Sequence, residues 1–420
     1  MTAAVAGAAL VASEAFCQEA SPSAGDGASQ RGQAPPRALG WTERLEFATP
    51  DRAFSIGPTG RVQFDGAYVF GPEGDRVGPR GRTSLRRARL GVEGRLFHDF
   101  EYSFRWNFAG YPDEPTDLNR LSLAYVGLKP LRFIVGAFKP LFTLEDSQSS
   151  NNILFLERAA VARAASSLAG GSGRYAAGVE VGAERWFGAA YLTGGDANVS
   201  GDERQRGAQL RLAGTPLNTG DAVLHLGVSA SWVFTPSLSG RRRAVDIDER
   251  PELRPGTEQL LDTGALPARG ARTEGVELGF STGRFWAQSE YHRILVDRPG
   301  GLDRAEFDGW YAQAAYLLTG RPRAWRGSRG AWNRPRPAAA FDPRAGEWGA
   351  VEVGLRYSRL DLDHRDVRGG RQSVWTAGAS WYPADDLRLM LQYQIGEAVP
   401  EGQDRTLRFQ AIGLRLQAIF

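Results

Sequence analysis

The sequence predicts an all-β protein: a transmembrane antiparallel β-barrel of about sixteen strands. Three observations carry that reading. Apolar and polar residues alternate with period two over most of the chain after residue 59. The alternating runs are joined by connections that are short and long by turns, as in outer-membrane barrels. The chain then ends in an amphipathic run with Ile412, Leu414, Leu416 and Ala418 on one face and Phe420 last.

The elements follow in order. In 61–70, Val62, Phe64, Tyr68 and Phe70 share a face opposite Arg61, Gln63 and Asp65. In 83–97, Arg87, Arg89, Glu93 and Arg95 oppose Ala88, Leu90, Val92 and Leu96. In 99–109, Phe100, Tyr102, Phe104, Trp106 and Phe108 oppose Glu101, Ser103, Arg105 and Asn107. Leu387, Leu389, Leu391, Tyr393 and Ile395 form the apolar face of 385–395. The same pattern places strands near 60–70, 83–97, 99–109, 118–128, 131–138, 173–182, 184–193, 204–213, 222–235, 271–281, 283–296, 305–319, 346–361, 372–382, 385–396 and 405–420. A short helix is expected around 157–168. His98-Asp99, Lys129-Pro130, Thr282-Gly283 and Pro383-Ala384 mark tight turns, whereas 71–82, 139–172, 194–203, 236–270, 297–304, 362–371 and 397–404 read as longer links. The segment 320–345 is long where a short turn is due.

Composition bounds the function. The longest apolar run, Ala3 to Ala12, is too short for a spanning helix of about 20 residues. Of 51 basic residues 49 are arginine, yet the net charge is only +3. Without a basic tail, that argues against a nucleic-acid partner. Mean hydropathy is −0.36, as in a soluble protein, but alternation cancels in an average. A soluble sandwich would bury an aliphatic face against a second sheet; here aromatic-rich faces oppose arginine-bearing ones, which suits lipid outside and water inside. Residues 1–20 read as a secretory signal peptide; the first basic residue is only Arg31, which suggests a truncated start. The single cysteine, Cys17, lies in that leader. Residues 21–55, rich in Pro, Gly and Ser at their start, read as a linker and periplasmic N-terminal segment, and 56–420 as the barrel.

The stretches TSLRRARLGVEGRLFHDFEYSFRWNFAG (83–110), YVGLKPLRFIVGAFKPLFTLEDSQSSNNILFLERA (125–159), RPELRPGTEQLLDTGA (250–265), GWYAQAAYLLTGRPR (309–323) and WGAVEVGLRYSRLDLD through ASWYPADDLRLMLQY (348–393) resemble the phosphate-selective porin O/P family of Gram-negative outer membranes. The resemblance covers about residues 55–420. It implies an integral outer-membrane protein with sixteen strands, assembled as a homotrimer, passing inorganic or organic anions to the periplasm. Outer-membrane lipid and the barrel-assembly machinery are the implied partners. It also implies that the third loop, about 139–172, folds into the lumen and narrows the pore.

Charged side chains in a pore constriction set ion preference, and arginine suits oxyanions because its planar fork stays charged and donates in pairs. Strand parity sends Arg61, Arg87, Arg89, Arg95, Arg105, Arg356 and Arg408 into the lumen, together with Asp65, Glu93, Glu101, Glu290 and Glu352. Arg61 and the pair Arg86-Arg87 match pore arginines of the resembled family. Arg158 and Arg163 lie on the third loop, and Arg250 and Arg254 on the fifth, near Arg241 to Arg243. The anion-contact candidates are therefore Arg61, Arg86, Arg87, Arg89, Arg105, Arg158, Arg163, Arg250 and Arg254; the plain alternative for each is a solvated lumen residue paired with a carboxylate. The family's phosphate-site lysines are replaced here by Glu101, Asp146 and Asn151, which predicts weak phosphate discrimination.

No catalytic constellation occurs. His98, His225, His292 and His364 are scattered and show no metal spacing, and no cofactor is expected. The reading is an anion-preferring porin, with phosphate or polyphosphate as one cargo. Its main alternative is a general or organic-anion porin; an outer-membrane barrel enzyme and a secreted soluble β protein are the remaining ones.

Overall fold

The computed structural model describes residues 45–109, 116–199, 202 and 204–420. The expected signal peptide and most of the linker lie outside the described residues.

Sixteen long strands form the wall: β1 Ser55–Phe70, β2 Arg82–Leu96, β3 Phe100–Asn107, β4 Asp117–Tyr125, β5 Leu131–Phe138, β6 Arg174–Gly182, β7 Trp186–Asp196, β8 Arg206–Asn218, β9 Ala222–Thr235, β10 Gly270–Thr282, β11 Phe285–Asp297, β12 Ala305–Thr319, β13 Ala350–His364, β14 Val367–Ala384, β15 Leu387–Val399 and β16 Leu407–Ile419. Each pairs antiparallel with its sequence neighbours, and β1 pairs with β16 from Arg61↔Ile419 to Phe70↔Gln410. The barrel is closed, so no strand edge is left to lipid, where an unpaired backbone group would cost several kcal/mol. A two-residue strand, Phe47–Ala48, folds back on the start of β1.

The alternation found in the sequence is inverted relative to a soluble protein. Val62, Phe64, Tyr68, Leu389, Leu391, Leu414 and Leu416 are exposed on the outer wall, while Gln63, Asp65, Arg388, Gln392, Arg415 and Gln417 are buried inside. Trp310, Tyr357 and Trp375 form part of an aromatic girdle on the outer face, with ring centroids 5.2 and 4.9 Å apart.

Expected spans 131–138, 222–235 and 305–319 coincide with the strands end to end, and the expected short helix is Ala160–Ser167. Two connections differ. The expected link 362–371 is a two-residue turn, because β13 and β14 continue to His364↔Val367. At these ends the alternation is kept but turned over: Leu360, Leu362 and Val367 are buried inside against the inserted loops, while Asp361 and Asp363 lie on the outer face. Pro383-Ala384 belongs to β14, and the turn is at Asp385 and Asp386.

Three connections fold into the barrel: the third loop (139–173), the fifth loop (236–269) and 320–349. Leu156, Val161, Leu253, Leu261, Ile294 and Leu360 form one apolar cluster that joins both loops to the wall. The 320–349 segment inserts a small hairpin, Trp325↔Trp332, into a second cluster with Leu154, Phe155 and Trp286. Where the third loop touches the wall, a side chain is missing: a Cβ on Gly354 would lie 2.8 Å from the Leu154 side chain.

The last residue completes the seam. The Phe420 N–H donates to Gly60 O and the Gly60 N–H to Phe420 O, and the Phe420 ring lies over Gly60. A Cβ on Gly60 would sit 2.1 Å from that ring. Gly60→Val should therefore destabilise the seam by about 1–3 kcal/mol and, like deletion of Phe420, reduce the folded band in a heat-modifiability gel. A wild-type proportion of folded band in both variants would count against this account of the seam.

Candidate functional site

The site begins with a backbone problem. Residues 151–157 of the third loop cross the lumen without helix or strand partners, so their carbonyls need donors from elsewhere. Arginines supply them. Arg323 Nη1 donates to Asn152 O (2.8 Å), and Arg388 donates to Ile153 O (2.8 Å) and Leu154 O (3.0 Å). Arg415 Nη1 donates to Leu156 O (2.5 Å) and Arg356 Nη1 to Glu157 O (2.9 Å). The charge of each is countered nearby or softened by a ring. Arg415 forks onto Asp65 at 2.6 Å twice, Arg323 onto Glu352 at 2.7 Å twice, and Arg356 reaches Glu252 at 2.6 Å. Arg388 lies over the Tyr382 ring.

Glu157 is the hub on the loop side. Arg86 forks onto it at 2.6 and 3.0 Å, Arg415 donates at 3.2 Å and Arg87 lies 3.8 Å away. Burial alone would raise its pKa, but these guanidiniums overcome that and hold Glu157 well below the ordinary carboxylate range. The helix Ala160–Ser167 follows directly, and its first N–H groups find carboxylates: Ala159 N–H donates to Glu145 and Ala160 N–H to Glu252, at 2.9 and 2.8 Å. Burial, with Glu290 alongside, pushes Glu145 up to about 7 despite Arg356.

What the inserted loops leave open is a cavity of about 720 Å³. Twelve cationic side chains and five carboxylates line it among the described residues. The cations are placed by strand register. Arg61 on β1 stands directly opposite Arg89 on β2, and Arg105 on β3 opposite Arg120 on β4. Like charges directly opposite on a sheet repel, so the wall itself presents a field that an anion relieves. Arg61 also donates to the hydroxyls of Ser149 and Ser150 on the third loop. Lys139 pairs with Asp146, which Arg158 approaches at 3.5 Å. Burial, with Arg158 close by, pulls Lys139 down to about 7.

A cation-lined cavity inside a closed barrel, bounded by inward loops, is the arrangement of a diffusion channel, and the comparisons agree. The family described as "Phosphate-selective porin O and P" matches residues 57–420. The chain belongs to that family. It is an integral outer-membrane porin. A Caulobacter vibrioides protein described as uncharacterised is 30% identical over 397 residues, covering 92% of this chain and 78% of its own. Porin O of Pseudomonas aeruginosa is 26% identical over 404 residues, covering 83% of this chain and 84% of its own. Among solved structures, the anion-selective porin from Comamonas acidovorans superposes with a TM-score of 0.53 at 11% identity, covering 87% of this chain and 100% of its own.

Of the residues expected from sequence, the porin brings Arg61, Arg86, Arg87, Arg89, Arg105, Arg158, Arg163 and Arg254 to this one cavity. Arg250 is not among its lining residues; its Nη1 donates to Thr257 O within the fifth loop. Arg408 points outward, to Glu397 on the rim, because the parity of β16 puts Phe409, Ala411 and Arg415 inside. Parity fails at Arg86, for a physical reason. Gln63 pairs with Arg87 but Phe64 with Leu85, so Arg86 is an extra residue in a bulge. Arg86 and Arg87 both face inward as a result, and Leu85 faces lipid.

The sequence reading missed Arg120, Arg132, Lys139 and Arg329 as lining residues. Arg120 and Arg132 were available by parity from their strands. Arg329 was not: it arrives on the tip of the 320–349 insertion. That tip is held by Arg211, which donates to the carbonyls of Arg329 and Gly330, to Ser147 Oγ, and through two 2.8 Å bonds to Glu277.

If Glu157 anchors the third loop, Glu157→Gln should cost about 3–5 kcal/mol, the usual effect of removing one partner from a buried ion pair. The expected readouts are a lower temperature of band conversion in the heat-modifiability gel and noisier single-channel current. Unchanged melting and quiet current would remove Glu157 from this role.

Proposed function

We propose that this porin is an anion-preferring channel. The observation that carries the reading is the excess of cations on the cavity, twelve against five, with Arg61, Arg89, Arg105 and Arg120 set against one another across the sheet. A low-dielectric wall focuses such a field into the water column and raises the local concentration of anions. The phosphate-selective character of the family and the anion selectivity of the Comamonas acidovorans porin support this choice.

For phosphate, the reading is conduction with weak discrimination. The carboxylates at the replaced lysine positions are neutralised where they stand. Glu101 contacts Arg95 and Arg132 at 3.2 and 3.4 Å, and Asp146 contacts Lys139 and Arg158. They therefore repel a passing oxyanion little, but they also engage guanidiniums that would otherwise converge on it. Organic anions remain a second class of cargo, favoured by the spread of the arginines along the lumen. The homotrimer is supported by the short wall strands β3 to β6, of eight or nine residues, which leave a low, uncharged side of the barrel for neighbouring copies. The seam strand, ending in Phe420, is the segment offered to the barrel-assembly machinery.

In planar bilayers under a dilute potassium chloride gradient, the reversal potential should report chloride preference. Arg61→Ala with Arg89→Ala should reduce the permeability ratio by about twofold or more. The preference should fade near 1 M salt, where the screening length shrinks to about 3 Å. A cation-selective wild-type pore would refute the reading.

The preference should also depend on pH. With Lys139 and Glu145 both near 7, raising pH from 6 to 8 removes one positive charge and adds one negative charge beside the cavity. Anion preference should therefore fall with rising pH, and Lys139→Arg should flatten the Lys139 part of that fall. A wild-type preference that is level across this range would contradict the assignment.

A further inference from the structure

The outer wall is divided into two unlike halves. Cross-strand register follows one row around it. From Ala177 the row passes through Leu192, Ala208 and Trp232, all apolar, and then meets Arg272 on β10. The next row runs Val179, Ala190, Leu210 and Ala230 before reaching Glu274. From β10 onward the outward-facing ends of the strands are charged. One row continues Glu274, Arg293, Asp308, Asp361 and Arg371; another runs Trp310, Arg359, Ser373, Glu397 and Arg408.

The second of these rows lies one step above Tyr357 and Trp375 of the aromatic girdle. That step fixes its depth. Girdle aromatics mark the boundary of the hydrocarbon, so Arg359, Ser373, Glu397 and Arg408 stand in the headgroup layer of the leaflet on the long-loop side. They do not merely ring the barrel. Tyr357, Arg359, Arg371, Ser373, Glu397 and Thr406 enclose a concave polar site that opens on the lipid side of the wall. The small side chain of Ser373 makes the hollow, flanked across the sheet by Arg359 and Glu397.

The hollow is lined by two arginines and one carboxylate. Its one carboxylate, Glu397, is bonded to Arg408 at 2.9 Å. Arg359 and Arg371 touch Asp361 and Asp363 at 3.2 and 3.1 Å, but both guanidiniums are about half exposed, at 53%. Exposed pairs of this kind hold weakly and leave donors to spare. Two forks over one hollow at phosphate depth match a tetrahedral oxyanion, and the girdle rings beneath offer an apolar shelf for attached acyl chains.

We propose that this face of β13, β14 and β15 docks the phosphorylated headgroup of an outer-leaflet glycolipid, with Arg359 and Arg371 as its phosphate contacts. The uncharged half of the wall lacks these groups and is not part of the site.

The test is lipid retention by the purified, detergent-solubilised barrel in native mass spectrometry, with bis-phosphorylated lipid A as the probe and its dephosphorylated form as comparator. Wild type should retain the phosphorylated probe in preference to the dephosphorylated one. Arg359→Ala with Arg371→Ala should weaken that retention about twenty-five-fold, the product of about fivefold for each cation at a membrane surface. Its bilayer conductance should stay at the wild-type value, because neither residue lines the pore, which also reports that the variant folds. Equal retention of the two probes by wild type would overturn the proposal without recourse to any variant. So would unchanged retention in the double variant, or a change in its oligomeric state in place of lipid loss, which would make this face a protein contact.

Discussion

An irregular loop drawn through a barrel carries peptide carbonyls into a space where neither a sheet edge nor bulk water completes them, and the rest of this structure depends on how they are met. Five consecutive or nearly consecutive carbonyls, those of residues 152, 153, 154, 156 and 157, receive guanidinium donors from Arg323, Arg388, Arg415 and Arg356. Arginine suits this better than lysine, with five donors in a fixed plane against three on a single nitrogen. Its rigid fork lets Arg388 serve two carbonyls and Ser380 together, and lets Arg415 serve a carbonyl and two carboxylates. The near absence of lysine from the composition thus has a structural use as well as an electrostatic one.

That arrangement divides the arginines into two groups. One group is consumed by the protein itself: Arg211, Arg323, Arg356, Arg388 and Arg415 are almost wholly buried, and most are countered by Asp65, Glu252, Glu277 or Glu352. The other faces the water column. Buried charge is tolerated only when paired and hydrogen-bonded, and the first group engages Asp65, Glu252, Glu277 and Glu352 in this way. The second is left with a surplus of positive charge, and the channel's field follows from the way its loops are anchored.

The departures from the sequence reading come from local events that a period of two does not encode. A bulge at Arg86 turns two adjacent arginines to one side, so Arg86 becomes a ligand of Glu157 instead of a lipid-facing residue. Arg408 is the exception: the period does encode it, since it shares the outer face with Ile412, Leu414 and Leu416, and its charge is paired there with Glu397. Arg250 sits in a motif that resembles the family's fifth loop, yet its side chain closes that loop on Thr257. Arg329 enters from a connection that carries no alternation, so no face could be assigned to it.

The sequence alone determined the number of strands, their order, the face each presents to lipid, and most of the arginines that reach the lumen. It could do so because a closed barrel in a membrane forces every strand to alternate, and that period is written residue by residue. Only the tertiary structure decided which guanidiniums bind the protein and which remain for a passing ion. The deciding partners are backbone carbonyls of the third loop and the 320–349 insertion, and a carbonyl has the same identity at every position, so nothing in the sequence marks the ones that Arg388, Arg415 and Arg211 have found.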